Sequence, residues 1–476
     1  MIEVVKSVIQ DKFGLNPDEP VLVGLSGGAD SLVLLDILRR LGYQLVAAHL
    51  DHGMRPDSRD DAASVKNMVN DLGVEFTHER VNVVEYAGAH HLSLEEAGRS
   101  VRYRFLFQQA AQFGAQTVAV GHNADDQVET VLMHLMRGSG LSGLRGMSYR
   151  SQPNSWSDEI PLVRPLLSSW REEIEAYIKE RDLQPLVDPS NLDTRYYRNR
   201  LRHELIPYLQ DYNPQVKKLF WRMALTLSDD YDVLTARAAQ AWDVCLFDEG
   251  PDYVGFSRAG ILALPMGVQR HLFRRAIYHL RPDLRDIDFN AIQHALEFTQ
   301  NPSRSGESDL LAGLWLKLEG DMLWLSGFDA ELPVALWPQV LSDRTTHLPV
   351  PGMLRLKNGW MLRAESEVNI EAAHAEAISN ADPYLAWIDA ADISLPLQVR
   401  ARRAGDRFRP LGMAGHSIKL SDFLVNEKLT RRARESWPLV VSGDDIVWVV
   451  GYRPAHRFRV RADTQEIVRL KVAKSQ

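Results

Sequence analysis

The chain has 476 residues, 45% of them hydrophobic and 25% charged, with a formal net charge of −8 and a single cysteine, Cys245. This length suits two to four domains, and the composition is that of a globular protein. One cysteine excludes a disulfide framework and any thiolate zinc or iron–sulfur site. No apolar run approaches the ~20 residues of a membrane span, and Met1–Lys6 has no signal-peptide layout. A cytoplasmic location, with no membrane partner, is therefore expected.

The first part alternates strand and helix patterns. Strands are expected over Val21–Leu25, Gln44–Leu50, Glu75–Val81 and Thr117–Gly121. Helices are expected over Ser31–Leu41, Arg59–Leu72, Leu94–Phe113 and Ala124–Arg137. The order predicts a doubly wound α/β domain with a mostly parallel sheet. Ser151–Asp158 reads as an exposed loop, and Ser169-Trp-Arg-Glu172 as a capping box for a helix to about Arg181. Asp188-Pro-Ser-Asn191 reads as a turn, and Thr194–Asp243 is helical in pattern, broken at Pro207 and Pro214. A mainly helical middle follows, with a strand-like end at Leu314–Leu325, and Asp329–Arg344 reads as a linker. Short segments at Gly352–Lys357, Trp360–Ala364, Leu397–Arg402, Pro438–Val441, Ile446–Val450 and Phe458–Val460 then predict a small β-rich domain, with a helix near Ser421–Thr430. The fold class is thus α/β, with domains over 1–213, 214–330 and 340–476.

Charge is distributed unevenly. Arg400–Arg461 holds fourteen Lys and Arg against six Asp and Glu, a local net of +8 that leaves −16 elsewhere. A basic module on an acidic body points to a polyanion bound at one place. Its arginines lie among Phe408, Trp437, Tyr452 and Phe458, which favours RNA over a merely solvated surface.

Three polar clusters follow expected strands. The first, Ser26-Gly-Gly-Ala-Asp-Ser31, joins a strand to a helix and offers backbone N–H groups and a helix N-terminus to phosphate. No Gly-Lys-Ser/Thr ends it, so it is not a Walker loop. The second is His49, Asp51 and His52; the third is His122, Asp125, Asp126 and Glu129. In an open α/β sheet these converge on one crevice beyond the strands' carboxyl ends. Asp125 and Glu129, four apart, share a helix face, and Asp126 and Glu129 nearly do. Grouped carboxylates there suit Mg²⁺ bridging ATP phosphates or a cationic amine. Glu95, Arg99 and Arg102 share another face, where ion pairing is the larger expectation. Arg137 reads as a helix-end residue. Arg195, Arg198, Arg200 and Arg202 either touch phosphate or form a solvated face.

The turn at Ser26–Ser31 resembles that of the PP-loop ATP pyrophosphatases, which cut ATP between its α and β phosphates. Further segments, His49-Leu-Asp-His-Gly-Met-Arg55, Leu94–Tyr103, Gly121–Thr130, Arg137-Gly-Ser-Gly140, Asp188–Asn191, Arg198-Asn-Arg-Leu-Arg202, Arg403–Gly412 and Lys419–Phe423, resemble the tRNA(Ile)-lysidine synthetases in order. The resemblance is strong over Val21–Pro207 and Val399–Val460 and weak between. It implies ligation of free lysine to C2 of the wobble cytidine of an isoleucine tRNA with a CAU anticodon, through an adenylated intermediate. It implies catalytic roles for Asp30, Asp126, Glu129 and Arg198. Nucleotide contacts are implied for Ser26, Gly27, Gly28, Ala29, Asp30, Ser31, Asp51, His52 and His122. Substrate contacts are implied for Glu95, Arg99, Arg102, Asp125, Arg137 and Arg202, and Mg²⁺ for Asp126 and Glu129. A tRNA 2-thiolation enzyme and a non-catalytic ATP-responsive RNA-binding protein are the alternatives, and the oligomeric state stays open, a homodimer included.

Overall fold

The computed structural model describes residues 1–53, 58–152, 154–186, 193–195, 197–284, 287–303, 306–333, 337–413, 415–427 and 429–474. The Asp188–Asn191 turn and Met54–Arg55 lie outside them. The chain divides into two compact units, Met1–Thr235 and Ala236–Gln476. The first unit runs past the expected boundary at 213, and the second contains both the middle and the C-terminal segments.

In the first unit, helix α1 (Ile2–Lys12) precedes β1 (Val21–Gly24), α2 (Ala29–Arg40), β2 (Leu45–Asp51), α3 (Ser58–Asp71), β3 (Glu75–Arg80), α4 (Val83–His90) and α5 (Leu94–Gln112). Then come β4 (Thr117–Val120), α6 (Ala124–Met136), α7 (Leu141–Leu144), β5 (Arg150–Ser151), β6 (Leu162–Val163) and α8 (Arg171–Arg181). Helices α9 (Tyr197–Arg200) and α10 (Ile206–Tyr212) follow, and α11 (Val216–Cys245) runs across the division at Thr235. The sheet has the order β3-β2-β1-β4-β6-β5, parallel except for β5 on β6. Alternate residues of each strand face opposite ways. Val21 and Val23 pack with Val5, Ile9 and Ile37 on one face, and Leu22 packs with Val46, Leu106 and Val118 on the other. Helix α2 buries every residue from Ser31 to Leu38, which is why it reads as a continuous apolar run. The doubly wound expectation holds, with strand and helix ends within two residues. The Ser169 capping box is corrected: α8 begins at Arg171, and the Glu173 carboxylate accepts from the Trp170 N–H at 2.7 Å.

The second unit opens on a five-stranded antiparallel sheet, in the order Leu246–Gly250, Tyr253–Ser257, Met322–Gly327, Leu314–Glu319 and Glu307–Asp309. Helices Met266–Leu280 and Phe289–Gln300 pack on it around Phe256, Phe273 and Leu316. The segment is mainly helical as expected, but only its last hairpin was readable as strand. Two four-stranded antiparallel sheets and a separate hydrophobic cluster form the C-terminal part. Three expectations there need correction. Phe458 closes a short 3₁₀ turn, His456–Phe458, rather than a strand, and the last strand is Ile467–Lys474. The helix near Ser421 ends at Asn426, with a second at Arg431–Glu435. The expected linker is tied down, since Val340 N–H donates to the Ser436 carbonyl and Gln339 is buried.

Candidate active site

The strand order reverses direction between β1 and β4, and a crevice opens at such a switch point. The Ser26–Ser31 turn leaves β1 there. Ser31 Oγ accepts from the Ser26 N–H at 3.1 Å and donates to the Gly28 carbonyl at 3.1 Å, closing the turn on itself. Gly27 has φ +85, and a Cβ on it would stand 2.8 Å from Val65 and 2.9 Å from Leu186. The position needs glycine for conformation and for packing. No side chain caps α2 at Gly28, so its first N–H groups face the crevice. Across from it, a Cβ on Gly121 would lie 2.9 Å from the Asp30 carbonyl carbon, so glycine there lets β4's end approach α2.

Asn123 joins the two strands' contributions. It caps α6 through a capping box with Asp126, at 3.0 and 3.1 Å, and donates from Nδ2 to Asp30 Oδ1 at 3.0 Å. Arg202 then spans Asp126 Oδ1 at 3.2 Å and Glu129 Oε1 at 2.6 Å. Glu129 is fully buried, and its Oε2 has no hydrogen-bond partner; Arg198 Nε lies 3.6 Å away. Burial holds the Glu129 carboxyl above the usual range although Arg202 pulls it down. Burial likewise raises Asp30, with Asp126 adding to it and Arg171 opposing.

Among the arginines from 195 to 202, Arg198 and Arg202 turn to Glu129, whereas Arg195 pairs with Asp193 and Arg200 with Glu204. A π-helical turn, Leu201–Leu205, follows Arg200 and carries Arg202. The expected face shared by Asp125 and Glu129 is corrected. Asp125 turns away, to Lys217 and to the Arg171 backbone N–H at 2.9 Å, and the two carboxylates that share Arg202 are Asp126 and Glu129.

The histidines lie on the other flank. His52 Nε2 meets Arg102 at 3.2 Å, and its Nδ1 is buried without a partner. Burial, then Arg102, pushes His52 down to about 4. His122 is held neutral by burial and by Arg164, Arg198, Arg99 and Arg102, and its Nδ1 is also unpartnered. His49 Nδ1 bonds the Leu25 carbonyl at 2.9 Å, tying β2 to the turn. Asp51 accepts from Gly53 N–H at 2.8 Å and pairs with Arg80 at 3.4 Å, so its carboxylate shapes the loop after β2. Ion pairing within Glu95, Arg99 and Arg102 does not occur. Glu95 is exposed with no ion pair among the described residues, and Arg99 stacks on Tyr103 at 4.9 Å. Arg137 caps the far end of α6, a helix length of ~20 Å from Asp125, and stands apart.

Sequence reading missed Asn123, Arg164, Arg171 and Lys217. Arg164 is buried behind a two-residue strand, with Nη1 donating to the Ser148 carbonyl at 2.7 Å. Asn123 alone carried a local signal, as a cap three residues before Asp126.

In the basic module, Arg400 pairs with Asp406 at 2.7 Å, Arg461 with Asp392 at 3.1 Å, and Arg457 with Asp445. The side chains of Arg402, Arg403, Arg409 and Arg431 make no ion pair within 4.0 Å among the described residues, although the Arg403 backbone N–H donates to Asp406 at 2.7 Å. The aromatic argument for RNA fails: Phe408, Trp437 and Phe458 are core residues. Cys245, the lone thiol, is buried as well. Among the described residues no helix is long and apolar enough to cross a membrane.

Residues 2–209 match the family model described as the PP-loop domain, and residues 397–471 match the TilS substrate C-terminal domain. The chain is 31% identical to a tRNA(Ile)-lysidine synthase of Dehalococcoides mccartyi, over 99% of this chain and 98% of that one. It is 33% identical to a synthase of the same name from Geobacter sulfurreducens, over 96% and 93%. A Caldanaerobacter subterraneus synthase is 29% identical over 100% and 98%.

Proposed function

Because the chain belongs to the tRNA(Ile)-lysidine synthase family, we infer that it is an ATP-dependent ligase joining free lysine to C2 of the wobble cytidine in a CAU anticodon. ATP adenylates the C2 oxygen with loss of pyrophosphate. The lysine ε-amine then attacks C2, and AMP leaves. The observation that carries this reading is Glu129: a buried carboxylate whose Oε2 takes no hydrogen bond and has only Arg198 at 3.6 Å, on the helix that Asn123 ties to the Ser26–Ser31 turn.

Each step has a residue suited to it. The Ser26–Ser31 turn and α2's first N–H groups receive the polyphosphate. Charge developing on the phosphates needs positioned counter-charge more than covalent help. Arg198 and Arg202 supply it at the Glu129 side. Glu129 Oε2 accepts the lysine ammonium, and its raised carboxyl takes the proton that the amine must lose before attack. A Mg²⁺ ion fits Asp30 and Asp126, which Asn123 draws together; burial disfavours the charge on Asp30, whose nearest cation, Arg171, stands 3.7 Å away. Bound there, it would neutralise phosphate charge. Glu129, the other expected metal ligand, is held by Arg202 at 2.6 Å and serves the amine better.

The test is lysine incorporation into bulk tRNA with ATP, followed by nucleoside analysis. Asp126→Asn and Glu129→Gln should each cut turnover about 100-fold or more, the usual range for an acid–base group, with tRNA affinity unchanged. Unchanged incorporation by both variants rejects the assignment.

A further inference from the structure

Arg171 opens α8, and its main chain and side chain make very different contacts. The main chain is fixed. Its N–H donates to Asp125 Oδ2 at 2.9 Å, the other Asp125 oxygen pairs with Lys217, and the Lys217 ammonium lies 5.2 Å from the centre of the Trp170 ring. The side chain is underused. A terminal nitrogen stands 3.7 Å from Asp30 Oδ2, outside hydrogen-bond distance, and the buried Nε has no acceptor. Among the described residues it is the cation within 4.0 Å of Asp30. A guanidinium presents five donors in a fork that matches phosphate oxygens. Here that fork is held at the edge of the Ser26–Ser31 turn with its capacity unspent.

Helix α6 separates two groups of charge. Asp126 and Glu129 face Arg202, whereas Asp125 faces Lys217 and the main chain of Arg171, whose guanidinium stands instead at Asp30 of the Ser26–Ser31 turn. The amine and the cytidine belong on the Glu129 side, where the α-phosphate has to be attacked. A guanidinium beside Asp30, at the edge of the turn and apart from the Arg202 pair, is placed for the leaving end of the nucleotide. We propose that Arg171 is a ligand of the β- and γ-phosphates of ATP, exchanging its loose contact with Asp30 for the polyphosphate and neutralising pyrophosphate as it leaves. Asp30 is thereby released for a divalent cation. This rests on the reading that Ser26–Ser31 cradles ATP.

The test is calorimetric titration of the full chain with ATP and with AMP, the latter lacking the phosphates concerned. Arg171→Ala should bind ATP about tenfold more weakly, a loss typical of one charged phosphate contact, with AMP affinity unchanged and KM for ATP raised. Arg171→Lys, which keeps the charge but not the fork, should fall between, and it carries the same comparison if the alanine variant melts early. Equal weakening toward ATP and AMP overturns the proposal, because a structural role moves both. So does an unchanged ATP affinity. Gly27→Val separates the two readings. If it loses ATP while Arg171→Ala does not, the role of Arg171 fails alone. If Gly27→Val binds ATP normally, the cradle and the inference fail together.

Discussion

Two residues of α6 illustrate how burial sets chemistry. Glu129 is wholly enclosed, and Arg202 is its principal counter-charge, at 2.6 Å. Removing one member of a buried pair leaves the other uncompensated. Arg202→Ala should therefore cost about 3 kcal/mol, the low end for such pairs because Arg202 is partly exposed; thermal melting checks it. Adding Glu129→Gln to that variant should recover part of the loss, since the fully buried charge is then gone and only Asp126 is left without Arg202. His52 offers a pH test. Its folded value of about 4 lies below the ordinary 6.5, so between these the unfolded chain binds more protons. Stability contributed by neutral His52 is present above 6.5 and lost as pH falls toward about 4. Asp30 and Glu129, raised rather than lowered, act in the opposite sense just above the usual carboxylate range. His52→Gln should flatten the fall in Tm between pH 6.5 and about 5. Asp126 and Glu129 were legible in sequence because three residues along a helix bring side chains to neighbouring positions. Arg171 was not, because its partners Asp30 and Asp125 come from distant segments that meet only in the fold.

At the scale of elements, the turn after β1 has room because the residue that follows β4 is a glycine. Gly121→Ala would press a methyl group against the backbone of Asp30 and Ser31 at 2.9 Å. Neither can retreat without moving the start of α2, so ATP affinity should fall at least about tenfold in a nucleotide titration. Gly114→Ala is the matched control. It has φ +62 but nothing within 4 Å, so it should cost about 1 kcal/mol and leave ATP binding intact. The long strands and helices could be read because each carries its apolar period over enough residues. Strands β5 and β6, at two residues each, carry none. The middle sheet was largely hidden for another reason: Leu246–Gly250 alternates half-buried with exposed positions and shows little apolar pattern.

Over the whole molecule, charge and core divide differently than composition suggested. Local excess charge did mark the basic module, but its aromatics fill a core, and some of its arginines bind their own carboxylates. The cations left to meet a polyanion include Arg402, Arg403 and Arg431. Replacing these three with serine should weaken tRNA binding and reduce the log–log salt slope by up to about 0.9 for each phosphate that is no longer neutralised. A filter-binding salt titration reads both, and a slope equal to that of the unaltered chain would mark these arginines as solvated surface. Cutting the chain at Asp329 is the poorer experiment. Buried Glu319 takes two hydrogen bonds from Arg432, one at 2.8 Å, and would keep in the remaining sheet only the Trp324 indole N–H at 3.2 Å and Lys317 at 4.0 Å.

The π-helical turn at Leu201–Leu205 acts as a spacer one residue long. Before and within it, Arg198 and Arg202 address the Glu129 carboxylate; just after it, Ile206 packs with Leu201 against Val128 and Leu132 of the same helix. Deleting a single residue from this turn would let an ordinary α-helix close, with better hydrogen bonding. It would also rotate the two halves against each other by about 100°. The chain could then keep its arginines on the carboxylates or its leucines in the cluster, but not both. Local helix stability has here been given up in favour of aim.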